Sequence, residues 1–146
     1  MSIADAIVMS REIKPIETTD ELKESVSRFL PKGSENKVLA QIFQALRIEV
    51  NEEMKVLEIF LSQCADVLNP GGRLVVLSYH SLEDRLVKNF MKTGNADGNL
   101  EKDFFGNQLT PYKLISSKPI IPSDEEIQNN NRARSAKLRV AERRTK

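Results

Sequence analysis

"GGRLVVLSYHSLEDR", residues 71–85, decides the fold. Gly71-Gly72, preceded by Asn69-Pro70, forms a tight turn. Leu74-Val75-Val76-Leu77 is a continuous apolar run, not an alternating one. Such a run predicts a strand buried on both faces, as in a parallel sheet covered by helices. Ser81 then caps a helix carrying Leu82, Leu86, Val87 and Phe90, with Asp84 at its N3 position. Ser78, Tyr79, His80 and Ser81 therefore lie just past the carboxyl end of a buried strand. Ligands bind there in open α/β sheets. His80, the single histidine of the chain, is placed in that crevice.

Upstream the pattern is helical. Residues 3–13 form an apolar face with Ile3, Ile7 and Val8, and Pro15 ends it. Thr18-Thr19-Asp20-Glu21 is a capping box, opening a helix that buries Leu22, Val26, Phe29 and Leu30. Pro31-Lys32-Gly33 stops it. Leu39, Ile42, Phe43, Leu46 and Val50 form one stripe, and Met54, Leu57, Leu61, Ala65 and Leu68 another. Asn51 with Glu52-Glu53 predicts two helices meeting there, Asn51 capping the second; one continuous helix is the alternative. Downstream, residues 93–107 hold three of the six glycines and read as a loop. Residues 112–116 form a candidate strand. Ser123-Asp124-Glu125-Glu126 opens a short helix to about Gln128. Ala136, Leu138 and Val140 alternate with Lys137 and Arg139, predicting a last strand.

The composition, with 146 residues, 40% apolar and 29% charged, is that of one domain's worth of soluble protein. No stretch reaches the apolar length of a membrane span. The N-terminus does not read as a signal peptide. A single cysteine, Cys64, excludes an internal disulfide and suits a reducing compartment such as the cytoplasm. One Cys and one His give no structural zinc set, and no metal is expected. The net charge of +1 hides an asymmetry. Residues 132–146 carry seven Lys/Arg against Glu142 alone, leaving 15 basic and 20 acidic residues before them. Such a segment supplies phosphate contacts or is simply a solvated terminus.

No G-x-G-x-x-G or P-loop pattern is present. Hydrolytic machinery is excluded by the lack of a G-x-S-x-G elbow, since triads are assembled from distant positions. A lone His also has a bland reading, as a structural hydrogen-bonding residue.

Three blocks, taken in order, sharpen the choice: "QIFQALRIEVNEE" (41–53), "LNPGGRLVVLSYHSLEDRLVKNFM" (68–91) and "RARSAKLRVAER" (132–143). Together they closely resemble the small-subunit ribosomal RNA cytosine-N4 methyltransferases of the bacterial MraW type. "IADAIVMSREIKPIETTDELKESV" (3–26) matches more loosely. The resemblance implies N4-methylation of a cytidine in 16S ribosomal RNA, with S-adenosylmethionine as cofactor. It implies an α/β fold: the C-terminal part of a Rossmann-like methyltransferase core (residues 51–146), preceded by the remnant of an inserted helical domain (residues 1–50). The family's Gly-rich turn, acidic ribose-binding residue and aspartate-rich motif lie in an earlier segment with no counterpart here, so no cofactor residue is carried over, and this chain is expected to be inactive alone. On this reading Ser78, His80, Ser81 and Asp84 form the catalytic wall, with His80 and Asp84 orienting the base. Arg47, Asn51 and Arg85 hold RNA or shape the pocket, and Arg132, Arg134 and Lys137 contact phosphates. The expected partner is 16S ribosomal RNA in the small subunit, with a homodimer as a further possibility and no membrane. The rivals are a noncatalytic RNA-binding module and a structural helical scaffold.

Overall fold

A computed structural model describes residues 2–145. The chain divides into two compact units, Met1–Asn51 and Glu52–Lys146.

The first unit holds α1 (Ile3–Ile13), α2 (Thr19–Val26) with a 3-10 turn at Ser27–Phe29, and α3 (Glu35–Val50). Its core is Val26, Leu39 and Ile42, with Ile3, Ile7, Leu30, Val38 and Phe43 around them. The outer end of the α3 stripe, Leu46 and Val50, stays exposed. The Thr18 box forms as expected: Thr18 Oγ1 accepts from the Glu21 N–H, and Glu21 accepts from the Glu17 and Thr18 N–H groups. Lys14 Nζ donates to the same carboxylate at 2.6 Å. The Lys14 hydrogen bond first, then the two amides, pull the Glu21 carboxyl down to about 2. A carboxylate so depressed stabilises the fold above its unfolded pKa, near 4.3, and loses that contribution as pH falls through about 2. Carbon-detected NMR titration is expected to place the Glu21 midpoint near 2, and Lys14→Ala to raise it; a midpoint above 4 in the intact chain contradicts the cap.

Two helices do meet at Asn51, but the cap is assigned differently. Asn51 closes α3, its N–H donating to the Arg47 carbonyl. Glu52 takes the left-handed conformation, φ 50°, and precedes α4 (Glu53–Val67). The left-handed residue breaks the i to i−4 ladder, which separates the helices.

The second unit packs α4 and α5 (Ser81–Thr93) on one face of a three-stranded sheet. The strands are β1 (Arg73–Ser78), β2 (Tyr112–Leu114) and β3 (Lys137–Arg143), in the order β1-β3-β2. The short helix α6 (Asp124–Asn129) and a 3-10 turn, Asn131–Ser135, lead into β3. Leu61, Leu74, Val87, Phe90, Met91, Tyr112 and Ala141 form the core, with Cys64 half-buried beside them as a small packing residue. Burial pushes the Cys64 thiol up, away from reactivity.

Three expectations for this unit are corrected. Both pairings are antiparallel, so the apolar run of β1 does not mark a parallel sheet here. Leu74 and Ser78 face the helices, while Val75 and Leu77 are 54% and 48% exposed on the other side. A run apolar on both faces reports what the strand can bury, not what covers it. On β3 the inward residues are Arg139 and Ala141, while Leu138 and Val140 turn outward with Val75 and Leu77. Arg139 sits inside because an acid meets it there. Finally, His80, not Ser81, caps α5, and Glu83, not Asp84, completes its capping box.

The loop after α5 begins at Gly94, where φ is +85° and a Cβ would lie 2.8 Å from Pro111 Cδ. It then forms a closed turn. Asp103 Oδ1 accepts from the Phe105 and Asn107 N–H groups, and Lys102 pairs with Gln108. Phe104 and Phe105 stand at its tip, 98% and 85% exposed.

Candidate functional site at the carboxyl end of β1

β1 ends at Ser78, and the chain reverses through Tyr79 and His80 into α5. The reversal is held by a reciprocal cap. The His80 ring Nδ1 accepts from the Glu83 N–H at 3.4 Å, and Glu83 Oε2 accepts from the N–H groups of Tyr79 at 3.0 Å and His80 at 3.4 Å. With Nδ1 as acceptor, a neutral ring carries its proton on Nε2. That atom is buried 3.0 Å from Glu83 Oε1, without the alignment of a hydrogen bond. Ser78 is 2% exposed, and its Oγ has no hydrogen-bond partner among the described residues.

Beneath the cap lies a buried ion cluster. Asp84 accepts from Arg139 Nε at 2.6 Å and Nη2 at 3.2 Å, and from Lys137 Nζ at 3.2 Å. Burial alone would raise the Asp84 carboxyl. The hydrogen bonds and charges of Arg139 and Lys137 together outweigh it and hold the pKa below the usual value. Both Asp84 oxygens are engaged, so this residue fastens α5 to β3 and keeps the His80 turn in place. Lys137 spends its charge on the same carboxylate.

On the outer side of the sheet a cavity of about 540 Å³ opens beside Tyr79. Leu77, Leu138, Ala133 and Ala136 line it with the 120–122 segment, and Glu126, Asn130 and Arg132 supply polar groups. An apolar floor with a few polar groups at its rim is the usual form of a small-ligand site.

The structure thus brings Ser78, His80, Ser81 and Asp84 to one strand end, with Ser81 exposed as the first residue of α5. Arg132 reaches the cavity, and Arg134 is exposed on the same 3-10 turn. Arg85 instead lines a separate cavity with Met54, Glu58 and Asn89. Arg47 and Asn51 belong to the helical unit Met1–Asn51. Sequence reasoning placed Tyr79 at the strand end without giving it a role, and passed over Glu126, Asn130 and Arg139 as site residues. Pro119 and Pro122 were the available signal that the chain folds back onto the strand end.

The described residues do not fit an S-adenosylmethionine cradle. Gly71 and Gly72 lie before β1, not after it, and the α5 N-terminus that follows β1 is already filled by the His80 ring and the Glu83 carboxylate. No cluster of His, Cys, Asp or Glu suited to a metal occurs among the described residues. No helix among them is long and apolar enough to cross a membrane.

A strand end of this kind, in a mixed helix and sheet unit, is common to many α/β proteins. Comparison with known proteins is more specific. The MraW methylase family model matches residues 1–144, and the chain belongs to that family. It is 56% identical over 141 residues to the ribosomal RNA small subunit methyltransferase H of Parabacteroides distasonis, covering 97% of this chain and 46% of that protein. The proteins of the same name from Flavobacterium johnsoniae and Flavobacterium psychrophilum are 58% and 59% identical, covering 97% and 98% of this chain and 46% and 49% of theirs. The chain spans about half the length of the curated relatives it matches.

Proposed function

We propose that this chain supplies the substrate-side half of an S-adenosylmethionine-dependent methyltransferase acting on a cytidine N4 in 16S ribosomal RNA of the small subunit. The observation that carries the reading is the cavity at the end of β1, in a chain more than half identical to ribosomal RNA methyltransferases over nearly all its length. On this reading the three strands are one flank of a larger Rossmann-like sheet, and residues 1–50 belong to a helical insertion. The cofactor is held by the rest of the family's length, since the residues described here do not fit it. The enzyme works where ribosomes are assembled, in the cytoplasm.

The chemistry demands positioning. The cytosine amine is a poor nucleophile, because its lone pair is delocalised into the ring. Rate then comes mainly from holding that nitrogen in line with the methyl donor. The base must leave its stack to be reached. The cavity suits a flipped pyrimidine: Leu77, Leu138 and Ala136 bury its faces, the Tyr79 ring offers a stacking surface, and Glu126 and Asn130 offer acceptors to the amine hydrogens. Arg132 and Arg134 lie where flanking phosphates would pass. His80, Ser78, Ser81 and Asp84 act from behind the cavity, holding the turn that carries Tyr79 into its wall.

The test is to join this chain to the unmatched part of the Flavobacterium johnsoniae relative and supply small subunits lacking the modification. Mass spectrometry of nuclease digests is expected to show N4-methylcytidine. Transfer to another base, or none by a folded protein that binds S-adenosylmethionine, overturns the proposal.

A further inference from the structure

The proposed function uses the basic segment of residues 132–146 only at its start. Arg143 and Arg144 stand at the other end of the sheet, where β3 finishes beside the beginning of β1. There Arg73, Glu142 and Lys113 form one row across the three strands, since Glu142 is the register partner of both cations. The row lies on the same outer face as Leu77 and Leu138, with Val75 and Val140 between. At this end a second cavity, of about 410 Å³, is lined by Lys113, Glu142, Arg143 and Arg144 with the Pro70-Gly71 turn.

The cations of this cavity are held in place by the backbone. Arg143 Nη1 donates to the Pro111 carbonyl at 3.2 Å, and Arg144 Nε donates to the Tyr112 carbonyl at 2.9 Å. Each bond fixes the direction of its guanidinium and leaves further N–H groups to donate. Neither arginine, nor Lys113, has an acidic partner among the described residues. Glu142, the one acid of the lining, is shared with Arg73 at 3.8 Å.

We infer that this cavity is a second contact for the phosphodiester backbone of an RNA strand, at the opposite end of the sheet from the cavity beside Tyr79. The inference rests on the reading of the chain as RNA-modifying and assigns a further part of the substrate to it. Three features select a strand over other anions. The Gly71 and Gly72 N–H groups go to the Arg143 and Asn69 carbonyls, so neither is left to cradle an enclosed ion. No large apolar side chain lines the cavity for an acidic protein to bury. No aromatic ring lines it to stack a base, so the contact is with backbone and independent of sequence. The two cavities lie at opposite ends of β1, about 17 Å apart at the rise of a strand. A stacked strand rises about 3.4 Å per nucleotide, so an RNA seated in the first cavity reaches the second only about five nucleotides further on.

RNA length and salt dependence test this together. Fluorescence anisotropy is followed for this chain with a labelled trinucleotide and with a labelled single strand of about 20 nucleotides, long enough to span both cavities. Lys113→Ala combined with Arg144→Ala is expected to weaken the longer strand about tenfold at low salt and to flatten its salt slope by about 1.4, at about 0.7 per phosphate contact. Trinucleotide binding is expected to be unchanged. Lys113→Ala alone, with no hydrogen bond to lose, is expected to flatten the slope by about 0.7. Lys88→Ala combined with Lys92→Ala, at exposed positions on α5, is expected to bind as the unsubstituted chain does. Circular dichroism confirms that each variant is folded. No binding of the longer strand by the folded chain, or an unaltered salt slope in both Lys113 variants, overturns the inference. So does an equal loss for the trinucleotide. At matched ionic strength, displacement of the RNA by inorganic phosphate marks a small-anion site, and displacement by polyglutamate as effective as by unlabelled RNA marks an acidic protein site; either overturns it. A loss confined to the longer strand, in a chain whose joined form leaves cytidine N4 unmethylated, leaves this contact standing and overturns only the proposed function.

Discussion

Arg139→Met is expected to destabilise the unit Glu52–Lys146 by about 3–5 kcal/mol, the cost of leaving a buried charge without its partner. Arg139 is buried on β3 and holds both oxygens of Asp84. Lys137, partly exposed, reaches one oxygen and cannot replace the fork. Asp84→Leu combined with Arg139→Met is expected to recover most of the loss, because an apolar pair of similar volume carries no desolvation cost. Urea unfolding followed by circular dichroism reads both variants. Equal destabilisation by the single and double variants would show that packing, not charge pairing, holds this contact. The pairing also has a pH signature. Folding holds the Asp84 carboxyl below its unfolded value, so the stabilisation is complete above about pH 4 and disappears as pH falls through the folded pKa. The Arg139→Met variant is expected to lose that acid dependence.

His80→Ala, in the chain joined to the unmatched part of the Flavobacterium johnsoniae relative, is expected to slow methyl transfer about 100-fold, the order expected when a reacting group is misplaced by an ångström. The same substitution removes the α5 cap, worth about 1 kcal/mol. The two effects separate with His80→Asn. Asparagine is a strong capping residue, so it is expected to restore stability while leaving transfer slow. Single-turnover methylation of small subunits, normalised to folded enzyme, decides the matter. Leu74→Ala, a truncation in the core, is the control expected to lose about 2–5 kcal/mol and keep its rate per folded molecule. A near-normal rate for His80→Asn would reduce His80 to its capping role.

The helices were legible because their signals are local. Thr18 and Glu21 sit three residues apart and cap one turn, and the stripes at 39–50 and 54–68 need only a 3.6-residue period. The strands were legible as strands but not as a sheet. Nothing in LVVL says which neighbour arrives or from which direction. Arg139 shows the limit most clearly. Alternation puts a cation on the wet side of a strand, and only Asp84, 55 residues earlier, reverses that choice. His80 was placed correctly at the strand end, but its cap was assigned to Ser81, the better capping type. The ring reaches the Glu83 amide because Glu83 reaches back in turn, a reciprocity that composition does not display.

The order of the strands also governs when the unit can form. β3 lies between β1 and β2, yet it is the last of the three along the chain. During synthesis β1 and β2 emerge before β3, the strand that pairs with both, and α5 emerges with its Asp84 uncompensated. These three strands join only after residues 137–143 are free of the ribosome, and β1 then pairs with residues 59 to 69 positions later. Long-range closure of this kind is slow, and the waiting strand is exposed to wrong partners meanwhile. A nascent chain stalled before Lys137 therefore leaves the β3-facing edge of RLVVLS open, where it can meet wrong partners.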